Sequence, residues 1–190
     1  MYFWVVSVRC SSCGAGEYYN QFIHRCFDCA AGEYQNSNSH SDTACKMCNY
    51  GHYQPSSGSS ACIACAAGKY NAEGGSSSSS ACKSCSTGRY TTSSGERHCT
   101  YCTPGRYNEH TGSDSASDCK ECPEGKFRAQ QGGASCDVCS PGQYQPQKGQ
   151  EECIICPAGR YKPPGSDPAA GCLPTPGGVC SGIDLRSSAK

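Results

Sequence analysis

The sequence predicts a small disulfide-rich fold: an elongated tandem array of irregular β-hairpin half-repeats, with little helix and no single core. Three observations carry this reading. The chain has 20 cysteines in 190 residues, above the roughly 8–10% that marks a disulfide scaffold. Leu, Ile, Val and Phe together number sixteen, too few for an ordinary hydrophobic core, so covalent staples must supply what apolar burial cannot. A short pattern built on C-x-x-C recurs nine times, and an internal repeat of this kind governs the whole reading.

The repeat begins at Cys10, Cys26, Cys45, Cys62, Cys82, Cys99, Cys119, Cys136 and Cys153. After every second cysteine comes x-x-G-x-[YF]. The glycines are Gly16, Gly32, Gly51, Gly68, Gly88, Gly105, Gly125, Gly142 and Gly159, and the aromatics are Tyr18, Tyr34, Tyr53, Tyr70, Tyr90, Tyr107, Phe127, Tyr144 and Tyr161. Successive first cysteines lie 16, 19, 17, 20, 17, 20, 17 and 17 residues apart, so short and long halves alternate through the middle. This points to four-cysteine modules of two half-repeats. The divisions are a leader or end of an upstream repeat at 1–9, modules at 10–44, 45–81, 82–118 and 119–152, an atypical terminal module at 153–180 and a tail at 181–190.

Local structure follows from residue type. In CPEG (122–125) and CPAG (156–159), Pro second and Gly fourth suit a type I turn; in TPGR (103–106) and SPGQ (140–143), Pro then Gly in the middle suit a type II turn. The next x-[YF]-x reads as a short strand, and SSG (56–58), SSG (93–95) and QGG (131–133) mark the returning turn. The long halves carry extra polar residues, GGSSSSSA before Cys82 and TGSDSASD before Cys119, which read as surface loops or module junctions. The aromatic is the one large apolar group in each unit, so all nine are expected to pack on a disulfide or on the neighbouring unit. The residue between glycine and aromatic is expected to be exposed. It drifts from Glu17 and Glu33 towards Arg106 and Arg160.

C-x-x-C by itself is open to three readings. The spacing from one pair to the next falls close to that of a zinc ribbon. However, the pattern runs on without pause, and the five histidines (24, 40, 52, 98 and 110) sit at no ligand spacing. A redox pair needs a helix N-terminus to lower the thiol pKa, and no helical pattern follows. Disulfides are the reading adopted, with a zinc-binding chain as a weak alternative. Two connectivities remain. The favoured, interlocked one joins Cys10 with Cys26, Cys13 with Cys29, Cys45 with Cys62, Cys48 with Cys65, Cys82 with Cys99, Cys85 with Cys102, Cys119 with Cys136, Cys122 with Cys139, Cys153 with Cys172 and Cys156 with Cys180. It uses all twenty. The other is sequential, each second cysteine closing on the first of the next pair, and leaves Cys10 and Cys180 over.

Sixteen basic residues balance sixteen acidic ones, which gives no reason to expect nucleic acid or an anionic membrane as partner. No apolar run is long enough to span a bilayer. No nucleophile–base pairing or phosphate-binding loop recurs, so no catalytic residue, cofactor or metal site is expected and the chain does not read as an enzyme. No Asn begins an N-x-[ST] sequon; the Ser/Thr clusters at 76–80 and 91–94 are candidates for O-linked sugar. Residues 161–178, rich in Pro, read as a stiff spacer.

CIICPAGRY (153–161), CKECPEGKF (119–127) and CDVCSPGQY (136–144) resemble the ephrin-receptor-like cysteine-rich repeats and, more distantly, the first half of tumour necrosis factor receptor repeats and EGF-like arrays. The resemblance covers about residues 10–172. It implies an extracellular or cell-surface, disulfide-bonded array within a larger protein, and transfers no ligand-binding residue. Monotony across the units points to a structural rod in a surface, matrix or filament protein, its partners being neighbouring repeats or identical chains. A receptor or adhesin ectodomain binding a protein or glycan is the alternative, with any partner site sought at 161–180.

Overall fold

The computed structural model describes residues 10–163 and 165–175. The leader 1–9, Cys180 and the tail 181–190 lie outside the described residues. Among the described residues eighteen strands form nine separate antiparallel hairpins. The first joins Glu17–Asn20 to Arg25–Asp28; each later strand is two residues long. In the seven hairpins between the first and the last the first strand is the residue before the aromatic plus the aromatic itself. The second is the x-x of the following C-x-x-C: Arg106 and Tyr107 face Glu121 and Lys120, and Gln143 and Tyr144 face Ile155 and Ile154. Among the described residues helix is confined to two 3-10 turns, Ser79–Ala81 and Ala116–Asp118. They are formed by the extra polar residues of two long halves and capped by the Ser78 and Ser115 hydroxyls, as short polar side chains favour.

One turn frame serves all nine units. The amide after each turn glycine donates to the carbonyl three residues back, as in Arg106 to Thr103 (3.1 Å) and Lys126 to Pro123 (3.1 Å). Gly105 and Gly125 thus both hold the third place with φ of 76°, the left-handed conformation a type II turn requires there. The CPEG and CPAG segments therefore do not form the expected type I turns over 122–125 and 156–159; their turns start one residue later, at Pro123 and Pro157.

The disulfides are sequential: Cys13–Cys26, Cys29–Cys45, Cys48–Cys62, Cys65–Cys82, Cys85–Cys99, Cys102–Cys119, Cys122–Cys136, Cys139–Cys153 and Cys156–Cys172. This corrects the interlocked pairing throughout. Cys26 bonds Cys13 in place of Cys10, and Cys10 has no partner among the described residues. Cys156 bonds Cys172, which removes both the Cys153 to Cys172 and the Cys156 to Cys180 links. The reason is geometric. Interlocking would set two C-x-x-C segments side by side, but each such segment is spent pairing with the aromatic strand of its own hairpin. Its two cysteines then sit at opposite ends of a two-residue strand. One closes the unit behind and the other opens the unit ahead. The alternation of short and long halves survives as disulfide spans of 14 and 17 residues through the middle.

Among the described residues the interior holds no buried aliphatic side chain. It consists of cystine sulfur, chiefly the second cysteine of each pair, and of polar side chains: Gln35, Gln54, Asn71, Thr91, Asn108, Ser113 and Gln145. The aromatics Tyr18, Tyr34, Tyr53, Tyr70, Tyr90, Tyr107, Phe127 and Tyr144 are half-buried and Tyr161 is exposed, so they flank the interior rather than fill it. The residue between glycine and aromatic is also mostly half-buried, exposed only at Lys69 and Arg160. It lies against its cross-strand partner: Arg89 sits 4.1 Å over the Tyr101 ring, and Arg106 pairs with Glu121 at 2.7 Å.

Cleavage at Lys83 and Tyr101 splits two C-x-x-C pairs, so trypsin and chymotrypsin together should release a peptide pair linking Cys85 to Cys99; one linking Cys85 to Cys102 defeats the sequential pairing. Replacing Cys85 and Cys99 together by Ser should cost about 3 kcal/mol if loop entropy dominates, and should open residues 86–98 to protease while distant units stay resistant.

Candidate functional site

The candidate site is the repeated contact by which one unit stacks on the next two. It starts at the turn glycine. Its amide donates to the carbonyl of the residue following the aromatic one unit on: Gly16 to Gln35 (2.7 Å), Gly51 to Asn71 (2.8 Å), Gly125 to Gln145 (2.7 Å). That residue's own amide donates onward to the loop of the unit after: Gln35 to Ser59 (3.2 Å), Asn71 to Glu96 (3.1 Å), Gln145 to Pro168 (3.1 Å). A second glycine, in the returning loop, donates back to the second cysteine of the preceding unit, as in Gly58 to Cys29 (2.9 Å) and Gly149 to Cys122 (2.8 Å). Backbone groups that a hairpin of two-residue strands cannot satisfy internally are thus satisfied by its neighbours.

The stack brings backbones into contact. A Cβ on Gly105 would fall 2.1 Å from the Gly149 carbonyl oxygen, and one on Gly16 would fall 2.2 Å from that of Gly58. Glycine is required at the turn on two counts, its positive φ and this approach from two units away. At Gly142 and Gly159 a Cβ meets nothing within 4 Å among the described residues.

The sequence reading missed the residue after the aromatic, which is the most buried polar position of the unit. Its side chain repeats one set of bonds. The amide oxygen accepts from the backbone two residues on, as in Gln54 to Ser56 (3.1 Å), Asn71 to Glu73 (3.1 Å), Asn108 to His110 (3.0 Å) and Gln145 to Gln147 (3.1 Å). The amide nitrogen donates to the returning loop or a neighbouring unit: Gln54 to Ala61 (2.6 Å), Gln145 to Glu152 (2.8 Å), Asn71 to His52 (2.9 Å) and Asn108 to Ser113 (2.8 Å). A carboxamide carries a carbonyl acceptor and an NH2 donor on separate atoms of one neutral group, so it can reach two partners at once. The available signal was Gln or Asn directly after the aromatic at 35, 54, 71, 108 and 145. Thr91 keeps a reduced version, its hydroxyl donating to the Ser93 carbonyl (3.0 Å). Arg128 is the misfit. One arm of its guanidinium reaches Asp137 (3.3 Å), but its Nε is buried without a partner.

At the last described unit Thr175 stands where a second cysteine belongs. Its amide donates to Gly159 (3.1 Å), as the Cys156 amide does to Gly142 (2.9 Å), and its hydroxyl replaces the sulfur with a bond to the same Gly159 carbonyl (3.0 Å). On the zinc alternative, Cys13, Glu17 and Cys26 place three ligand atoms within 4.8 Å of one another, but the two sulfurs are bonded as a disulfide and offer no thiolate. On the exposed side, the Glu109 carboxyl is held below its ordinary value by its hydrogen bond to Lys120 and then by that ammonium's charge. Any stability from this pair is present above the usual carboxylate range and lost as pH falls through the lowered value; at full exposure it is small.

A family model described as "Tyrosine-protein kinase ephrin type A/B receptor-like" matches residues 37–82, 77–119 and 125–172. The chain belongs to this family of cysteine-rich repeats. No curated protein matches the chain. Ephrin-receptor-like repeats are an extracellular, non-catalytic domain type, and this chain is an extracellular disulfide-bonded array. Among the described residues no helix is long and apolar enough to cross a membrane.

Gly105→Ala should cost several times more stability than Gly159→Ala. Both incur the left-handed strain of about 1–2 kcal/mol, but only the first drives a methyl into a neighbouring carbonyl; equal losses in denaturant titration sink the stacking argument. Asn108→Ala should cost about 1–3 kcal/mol by stranding buried groups, with faster amide exchange at His110. Arg128→Gln should raise stability, because it removes a buried unpaired donor and restores the carboxamide of the other units.

Proposed function

We propose that the chain is a rod-forming segment of a larger surface, matrix or filament protein, and that its work is mechanical rather than catalytic or ligand-capturing. The observation that carries this is the sameness of the stacking bonds: the turn-glycine link recurs at every junction from Gly16 to Gly125. Each unit is held by its neighbours, as in other solenoid repeats, and each is closed by its own disulfide, which supports length and protease resistance. Neighbouring repeats or identical chains are the partners this reading requires. The division into four-cysteine modules remains part of the proposal, supported by the alternating loop lengths. Residues 77–80 and 92–94 are exposed and remain candidates for O-linked sugar; Thr91 is buried.

The receptor or adhesin reading draws on one feature. Near the atypical end Val138, Pro141, Gln143, Lys162, Pro163 and Pro168 line a shallow hollow of about 230 Å³, within which a partner could seat.

Electron microscopy and small-angle scattering of the oxidised chain separate the two. The rod reading expects a thin particle whose length is lost on reduction, and regular fibres in native material. Isolated monomers that capture a protein or glycan, with capture abolished by changes at Lys162 and Pro168, favour the adhesin.

A further inference from the structure

Between the aromatic strand of one unit and the returning loop of the next runs a groove. It widens into a hollow at residues 34–62 and again at residues 127–152. The two hollows are lined differently. Phe127, Ala129, Glu151 and Glu152 line the second, which therefore carries two carboxylates. The first holds about 250 Å³ and is lined by Tyr34, Asn36, Asn49, His52 and Ser60, with no Asp, Glu, Lys or Arg among its lining residues. This lining departs from the repeat. Asn49 follows a second cysteine, where the other eight units carry Gly, Ala, Ser, Thr or Pro. His52 is the one histidine between a turn glycine and its aromatic, and Asn36 stands two places after an aromatic, where only Asn20 matches it.

The cluster keeps free hydrogen-bonding groups. The Lys46 ammonium donates to Asn36 Oδ1 at 2.7 Å, which leaves the NH2 of that side chain free among the described residues. His52 Nδ1 lies 2.9 Å from the Tyr50 carbonyl. A carbonyl only accepts, so Nδ1 carries the proton and Nε2 is left as an acceptor. The His52 amide donates to the Asn49 carbonyl at 3.2 Å, which holds both residues in one turn. The Asn49 side chain and the Ser60 hydroxyl are exposed and make no hydrogen bond among the described residues.

We propose that this hollow binds one ring of a neutral saccharide. The half-buried Tyr34 supplies an apolar ring with a polar tip, suited to the C–H face of a sugar. The two carboxamides and the imidazole supply donors and acceptors for its hydroxyls, and each carboxamide can reach two adjacent hydroxyls at once. The lining has no cation to hold a phosphate or a carboxylate. The volume is below the roughly 300–1,000 Å³ of a pocket for a drug-sized ligand, so one ring enters and the rest of a glycan stays outside. The site is separate from the hollow at Val138 and Pro168 and rests on neither the rod nor the adhesin reading.

NMR titration of the full 190-residue oxidised chain with methyl β-galactoside, methyl α-mannoside and N-acetylglucosamine tests this. The expected result is millimolar binding of at least one of them, with shifts confined to Tyr34, Asn36, Asn49, His52 and Ser60. Asn36→Ala with Asn49→Ala should weaken binding about tenfold or more, as loss of two or more hydrogen bonds implies. Both side chains are exposed, so the disulfide map should stay the same. Tyr34→Phe, which keeps the ring, should bind as before, and Glu151→Gln, in the other hollow, should leave the shifts unmoved. The proposal is overturned if none of the three sugars binds, if shifts arise elsewhere on the array, or if binding survives the double change. Binding of N-acetylneuraminic acid or glucuronic acid alone makes an anion the ligand and also overturns it.

Discussion

Each turn glycine from Gly16 to Gly125 lies beneath a loop from two units further along, and the rest of the array is arranged around that approach. With a hydrogen atom in place of a methyl group, the chain at Gly105 can take a positive φ while the Gly149 carbonyl sits directly over it. Only then do the glycine amide, the carbonyl of the residue after the next aromatic, and that residue's own amide fall into one line of hydrogen bonds. A hairpin with two-residue strands is not stable by itself. Here each one borrows the missing bonds from two neighbours, so the fold is a property of the stack and not of any unit in it.

The interior follows from this. Close backbone contact leaves no space for a layer of Leu or Ile, and the chain has few to offer. Cystines take the place of the core and carboxamides take the place of the packing that would surround it. Burying polar groups is unfavourable unless every donor and acceptor is matched. Gln54, Asn71, Asn108 and Gln145 meet that demand with the same pair of bonds. Arg128, whose Nε is left over, indicates how specific the position is. The aromatics stand one residue aside, half-covered except at the exposed Tyr161.

The rod proposed above draws on this arrangement: the turn-glycine bond recurs at each junction from Gly16 to Gly125, and on that reading load would pass through backbone hydrogen bonds and disulfides. In the last described unit Thr175 takes the place of a second cysteine while keeping the backbone bond to Gly159, and the first described hairpin shows apolar side chains where later units show polar ones.

The nine units, the turns at Thr103–Arg106 and Ser140–Gln143, the two-strand hairpins and the disulfide bonding of the cysteines were legible in the sequence, because each follows from residue types at fixed short spacing: Gly where φ must be positive, an aromatic after it, and cysteine in place of a core. The partner of each cysteine was not. Cys85 lies at similar sequence distances from Cys99 and Cys102, and spacing and parity favoured the wrong one; strand pairing in three dimensions assigns Cys85 to Cys99. Nor was the burial of Gln35 or Asn108 legible. Alternation along a strand points the aromatic inward, but over only two residues the stacking neighbours, not the pleat, decide which side chain is covered. The sequence by itself determined what is local. Only the tertiary structure decided what lies beneath what, because that depends on contacts between units some 42–44 residues apart.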